Sequence, residues 1–227
     1  MNKFIISRLF VELTAKNLNL DRNKSTRTNS SNHVLFTVLC KMVGLNLSEP
    51  KPILANASNT GLLTSIIDDL LTNFKRDPAC HSFIDCLLKP GFKVVSLYRL
   101  YPLIGLTTNR VLKHIKTNYG IEIGHGVWFG RRLVLDHTHG TVIGQQVKIG
   151  DNVTLMHGIT LGSIGNQLGL THRHPEVQSG SNVGVNSTVL GRIEIGHCTN
   201  IGANAVVVKQ VLPYNVVVGV PAQALLS

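Results

Sequence analysis

Residues 142–162 read VIGQQVKIGDNVTLMHGITLG, and the placing of their apolar residues decides the fold. Ile143, Ile149, Leu155 and Leu161 stand six apart. Upstream the same step links Ile123, Phe129 and Leu135; downstream it runs through Val177, Val183, Val189, Ile195, Ile201 and Val207. All thirteen positions are bulky and apolar in a chain that is 43% apolar. Chance alignment has odds on the order of 10⁻⁵ before the freedom to place two breaks. Eight of the thirteen are followed by glycine: Gly124, Gly130, Gly144, Gly150, Gly162, Gly184, Gly196 and Gly202. Glycine at that point is expected to relieve the backbone where a short strand turns a corner.

A period of six suits neither a helix nor a hairpin ladder. It suits a solenoid in which each hexad forms one flat side and three hexads form a coil, the apolar residue pointing inward onto its equivalents. Residues 119–227 therefore predict a parallel β-helix of hexapeptide repeats. Ahead of it, GLLTSIIDDLLTNF carries Leu62, Leu63, Ile66, Ile67, Leu70, Leu71 and Phe74 at helical spacing, with Asp68 and Asp69 opposite. Asp77-Pro78 reads as a helix start, Asp77 being the N-cap, and Pro90-Gly91 punctuates before FKVVSLYRL. The expected order is a poorly ordered segment over 1–32, an α-helical domain over 33–118 and the β-helix over 119–227.

The formal charge of +10 is uneven. Residues 1–117 carry 16 Lys+Arg against 7 Asp+Glu, and residues 118–227 carry 6 against 5. The excess is spread out, not gathered in one basic run with interleaved aromatics, which argues for a solvated surface over nucleic-acid binding. The opening apolar run is cut by Ser7 and Arg8, too early for an export signal. No stretch approaches the ~18 apolar residues of a membrane span. Cys40, Cys80, Cys86 and Cys198 are scattered, without the close pairing of a zinc site or a dense disulfide scaffold. A reduced, cytoplasmic protein without nucleic-acid or membrane partners is expected.

Chemistry is expected where the period breaks. The first break inserts two residues between Leu135 and Ile143, around Asp136-His137-Thr138-His139-Gly140. The second extrudes GSIGNQLGLTHRHPE between Leu161 and Val177, carrying His172, Arg173 and His174.

Here the chain resembles a known family. The run IEIG…LDHTHGTVIG…VKIGDNVTLMHGITLGS…RHPEV…VLGRIEIG…NIGANAVVV…GVPA is similar, in order and spacing, to the catalytic half of the serine acetyltransferases. The likeness covers about residues 119–222 and reaches into the helical half through LLTNFKRDPA and PGF…YRL. It implies a left-handed β-helix and transfer of acetyl from acetyl-CoA, a co-substrate, to the L-serine hydroxyl, giving O-acetyl-L-serine for cysteine biosynthesis. No metal is implied. Ten histidines raise a zinc reading, but no His-x4-His pair is present.

A serine hydroxyl is a poor nucleophile at neutral pH and needs a base. His137 matches the family's catalytic histidine, and Glu122, 15 residues earlier, matches the carboxylate that orients it. His174 is grouped with them. Asp77, Asp136 and Arg173 match the residues that hold the amino acid: carboxylates suit its ammonium, and a guanidinium suits its carboxylate. Gly162, Gly184, Ala203 and Ala205 match the coenzyme A cleft. His139, His157 and His172 match no family role.

The departures are specific. Asn166 stands where the family often has lysine, Gln223 where arginine often follows GVPA, and Val185-Asn186-Ser187 where small residues line the cleft. Lys93 replaces a histidine. The long tail that docks into cysteine synthase has no counterpart, so no such complex through the C-terminus is expected. The resemblance further implies a homotrimer with sites between adjacent β-helices, and leaves open a dimer of trimers. Two alternatives remain: another hydroxyl acceptor, homoserine or a sugar, and a β-helix scaffold that has lost catalysis.

Overall fold

The computed structural model describes residues 61–103, 107–165 and 172–225. The segment expected over 1–32, and the first part of the helical domain, lie outside the described residues. The chain divides into two compact units between Leu106 and Thr107. The helix that precedes the first coil goes with the coils.

In the first unit, α1 (Leu62–Arg76) buries Leu63, Ile66, Ile67 and Leu70, with Lys75 and Arg76 in its last turn, where cations complement the helix dipole. One expectation fails on this helix. Asp69 does not face solvent: it is 1% exposed and accepts from Arg99 Nε at 2.7 Å and Nη2 at 3.2 Å. A buried carboxylate is tolerable only with such a partner.

The helix start expected at Asp77-Pro78 is also corrected. Asp77 is the C-cap of α1, its amide bonded to the Asn73 carbonyl. Its carboxylate accepts from the Ala79 amide at 2.9 Å. The next helix, α2 (Phe83–Leu88), is instead capped by Ser82, whose hydroxyl accepts from the Asp85 amide. Pro90 then opens α3 (Pro90–Leu100) at its first turn, where its missing N–H costs nothing. The turn between α1 and α2 brings Cys80 close to Cys86 of α2, with Cα atoms 5.5 Å apart. Cys198 is free and exposed.

In the second unit, α4 (Thr108–Tyr119) buries Val111, Leu112 and Ile115 and ends at Gly120 in the left-handed region. Coil 1 comprises β1 (Glu122–Ile123), β2 (Trp128–Phe129) and β3 (Val134–Leu135). Coil 2 comprises β4 (Val142–Ile143), β5 (Lys148–Ile149) and β6 (Thr154–Leu155). Coil 3 has β7 (Thr160–Gly162), β8 (Glu176–Val177) and β9 (Asn182–Val183). Coil 4 has β10 (Thr188–Leu190), β11 (Glu194–Ile195) and β12 (Asn200–Ile201). A last turn runs through β13 (Val206–Val207) and β14 (Val216–Val218). It is closed by β15 (Gln223–Ala224), which lies antiparallel on β14.

Equivalent strands pair in parallel to make three faces. Face A stacks β1-β4-β7-β10-β13, face B stacks β2-β5-β8-β11, and face C stacks β3-β6-β9-β12-β14. The register joins the residues that the period of six singled out: Ile123 to Ile143 on face A, Phe129 to Ile149 to Val177 on face B, and Leu135 to Leu155 to Val183 on face C. None of the thirteen is more than 7% exposed. Each such burial is worth roughly 1.5–3 kcal/mol, so the inward columns are what hold the coils together. Truncating Ile149 to alanine, between Phe129 and Val177, would cost about 2–5 kcal/mol.

The glycines that follow the inward residues are explained differently from the expectation. At Gly124 an added Cβ would meet the Gln145 amide nitrogen at 2.5 Å, and at Gly130 the Gly150 carbonyl carbon at 2.5 Å. The next coil's backbone leaves no room there. The left-handed backbone sits elsewhere, at the second residue of each corner, as at Gly126 and Asn152.

Candidate active site

The two extra residues of the first break, His137 and Thr138, bulge from the corner that joins face C of coil 1 to face A of coil 2. The amide of Asp136 still pairs with the Leu155 carbonyl, and the Gly158 amide pairs with the carbonyl of His139, so the coil is regular on either side. Thr138 turns inward, 1% exposed, and its hydroxyl donates to the Tyr119 carbonyl at 2.5 Å. His137 turns outward, its side chain 71% exposed and its backbone in the left-handed region at φ 61°. The same left-handed backbone recurs at Arg132, Gln146 and Asn152 in neighbouring corners, so it belongs to the solenoid and not to His137 alone.

His137 Nε2 lies 3.7 Å from Asp136 Oδ1. Its ring meets that of His157 edge to face, with centroids 5.4 Å apart and planes at 87°. Glu122, the expected orienting carboxylate, stands one coil below Val142 on the outer side of face A. Its Oε2 is engaged by Lys116 Nζ at 2.5 Å. The expected pair Asp136 and His137 is thus together, while Glu122 is turned to a lysine of α4.

The second cluster lies at the other edge of face A, where the corner leads to face B. His174 is only 9% exposed and packs against Gly144, where an added Cβ would stand 2.2 Å from the ring. Burial lowers its pKa from the ordinary imidazole value and the neighbouring Arg173 charge lowers it further; a hydrogen bond to the Gln145 backbone opposes both. The ring is therefore biased toward the neutral form, which can accept a proton or a hydrogen bond. Arg173 is half-buried beside it.

The residues expected at the coenzyme divide between these corners. Gly162 ends β7 on the His174 side, whereas Gly184 and Ala203 lie on the His137 side, in coils 3 and 4. At Gly184 a Cβ would meet the Ile201 carbonyl oxygen at 2.5 Å, so coil packing alone requires glycine there. Ala203 is exposed, but Ala205 is wholly buried and turned into the core, with its carbonyl bonded to the Thr188 amide. Asp77 belongs to the helical unit, where Lys89 pairs with its carboxylate.

Sequence reasoning passed over His157, Gly144 and Lys116. The signal for His157 was its place in the corner of coil 2 next to the break, since one coil's rise brings such residues within contact. Among the described residues, no group of three His, Cys, Asp or Glu side chains could hold a metal ion. Nor is any described helix long and apolar enough to cross a membrane.

No family model matches the chain. Similar proteins are nonetheless clear. A serine acetyltransferase of Mycobacterium tuberculosis is 38% identical over 170 residues, covering 72% of this chain and 73% of that one. The crystal structure of Neisseria gonorrhoeae serine acetyltransferase in complex with serine superposes with a TM-score of 0.71 at 30% identity, covering 83% of this chain and 82% of that one. The Brucella abortus enzyme in complex with coenzyme A gives a TM-score of 0.72 at 26% identity, with coverage of 96% and 88%. The helical unit followed by a left-handed parallel β-helix is the architecture shared with these structures. At this identity and coverage, the chain belongs to the serine acetyltransferase family.

Proposed function

We infer that the protein is a serine O-acetyltransferase, moving the acetyl group of acetyl-CoA to the hydroxyl of L-serine to give O-acetyl-L-serine and CoA. The observation that carries this reading is the 38% identity to a serine acetyltransferase over 170 residues, which takes in the bulge bearing His137. The serine and coenzyme A complexes of related enzymes support the two substrates.

In the proposed reaction, a ring nitrogen of His137 removes the proton from the serine hydroxyl as its oxygen attacks the thioester carbon. The tetrahedral intermediate then expels the CoA thiolate, which takes the proton back from the imidazolium. A positioned base contributes typically ~10²–10⁴-fold. Asp136 is proposed to hold the substrate ammonium, Arg173 its carboxylate, and His174, biased to its neutral form, to bond the reacting groups. Glu122 is proposed to orient His137 after releasing Lys116. Gly162, Gly184 and Ala203 would border the pantetheine arm. Ala205 would contribute only through the backbone that it packs.

One chain carries the His137 and His174 clusters at opposite edges of face A. That separation favours a homotrimer in which the first corner of one copy meets the second corner of the next. Acetyl-CoA is an intracellular metabolite, so the proposed compartment is the cytoplasm.

Thiol release from acetyl-CoA tests the reading, with L-serine beside homoserine and a sugar panel, in wild type and His137→Ala. Serine-dependent release that collapses in the variant is expected. Release with a different acceptor would replace serine as the substrate. No release with any acceptor from folded protein would overturn the enzymatic reading.

A further inference from the structure

His157 has a place in the site that the family resemblance does not supply. It sits in the corner of coil 2, in register with His139 below it, and its carbonyl is bonded to the Asn186 amide above. With the Gly158 amide bonded to the His139 carbonyl below, these bonds fix the backbone of the corner within the stack. Its Nδ1 is buried and has no hydrogen-bond partner, one of three such side-chain atoms among the described residues. A second, Thr141 Oγ1, lies in the corner that carries His137. An orphaned buried polar atom costs about 1–3 kcal/mol. The orphaned nitrogen gives the coil no stability, so the role of the flat ring lies outside the coil's own packing.

The contact with His137 supplies one. The outward ring of His137 has no hydrogen bond to Asp136 at 3.7 Å, and Glu122 is held by Lys116. Its ring partner is His157, edge to face at 87° with centroids 5.4 Å apart. A ring on a two-residue bulge needs a wall to set its plane, and edge-to-face packing of flat rings has a preferred geometry.

We propose that His157 is a positioning residue for the acetyl transfer, its ring fixing the orientation of His137. The proposal rests on the reading of His137 as the base. Misplacing a reacting group by an ångström can cost up to ~10²-fold in rate, so the effect belongs in kcat and not in binding.

The test uses the full-length protein with His157→Ala, His157→Phe and His137→Ala, in the thiol-release assay with acetyl-CoA and L-serine. His157→Ala is expected to lower kcat by about tenfold or more, with both KM values within about twofold. His157→Phe keeps a flat ring without the orphaned nitrogen, and is expected to hold kcat within about threefold of wild type. In protein labelled with 13C-histidine, the ring signal of His137, assigned by its loss in His137→Ala, should move in His157→Ala and return toward its place in His157→Phe. Unchanged kcat and an unmoved His137 signal in His157→Ala would overturn the inference while leaving the base intact. A His157→Phe variant as slow as His157→Ala would also overturn it, since the nitrogen and not the ring contact would then matter. Full activity in His137→Ala would remove the reading on which the inference rests.

Discussion

The imidazole of His174 lies across Gly144 so closely that a methyl carbon added to the glycine would stand 2.2 Å from Cδ2 and 2.6 Å from Nε2. The Leu161 carbonyl oxygen, 2.8 Å from the same point, closes the other side. Gly144 is thus the seat of the ring as well as a member of the repeat.

Gly144→Ala should therefore displace His174. Overpacking of this kind costs typically about 1–3 kcal/mol. Gly130→Ala, which meets backbone of the next coil at 2.5 Å but no histidine, controls for that loss. Both variants should melt earlier. Only Gly144→Ala should lose activity beyond its loss of folded protein, by roughly tenfold or more as a bonding group is misplaced. Equal activity per folded molecule in the two variants would show that the seat is structural only.

His174 also makes stability depend on pH. Burial and then the Arg173 charge hold its pKa below the ordinary value. An unfolded histidine titrates near 6.5, so below that pH the unfolded chain binds a proton that the folded one resists. The contribution of His174 is fully present above about pH 6.5 and falls as the pH drops toward the lowered folded value. Melting temperatures at pH 7.5 and 5.5 should differ less in His174→Asn than in wild type. An identical difference would refute the linkage.

The fold was legible because the inward columns obey one rule: a bulky apolar residue at every sixth position stacks on its equivalent one coil away, as Phe129 does on Ile149. What escaped sequence reading depends on partners that no period reveals. Asp69 sits on the polar side of a helical wheel, yet it is buried because Arg99 arrives from thirty residues away. Asp77-Pro78 carries a helix-start signal, but the true cap is Ser82, because the carboxylate of Asp77 is spent on the turn it closes. The glycines after the inward residues were legible as a pattern, while their cause, the approach of the neighbouring coil's backbone, needed three dimensions. The candidate site was legible as two breaks rich in histidine. Its division between two edges of face A, and the contact of His137 with His157, were not.

Glu122 and Lys116 form the last relationship that bears on catalysis. Their ion pair at 2.5 Å joins two side chains that are 52% and 63% exposed, so it adds no more than about 1 kcal/mol to stability. If Glu122 serves His137, Lys116 is a competitor for it. Glu122→Gln should then lower kcat on the order of 10²-fold, short of the loss from removing the base itself. Lys116→Met should leave kcat unchanged or raise it, with a melting temperature close to that of wild type. A Lys116→Met variant that loses as much activity as Glu122→Gln would mean that the ion pair, not an action of the carboxylate on His137, is what the reaction needs. Steady-state rates of the two variants, measured side by side, separate a carboxylate that works on the base from one that only tethers α4.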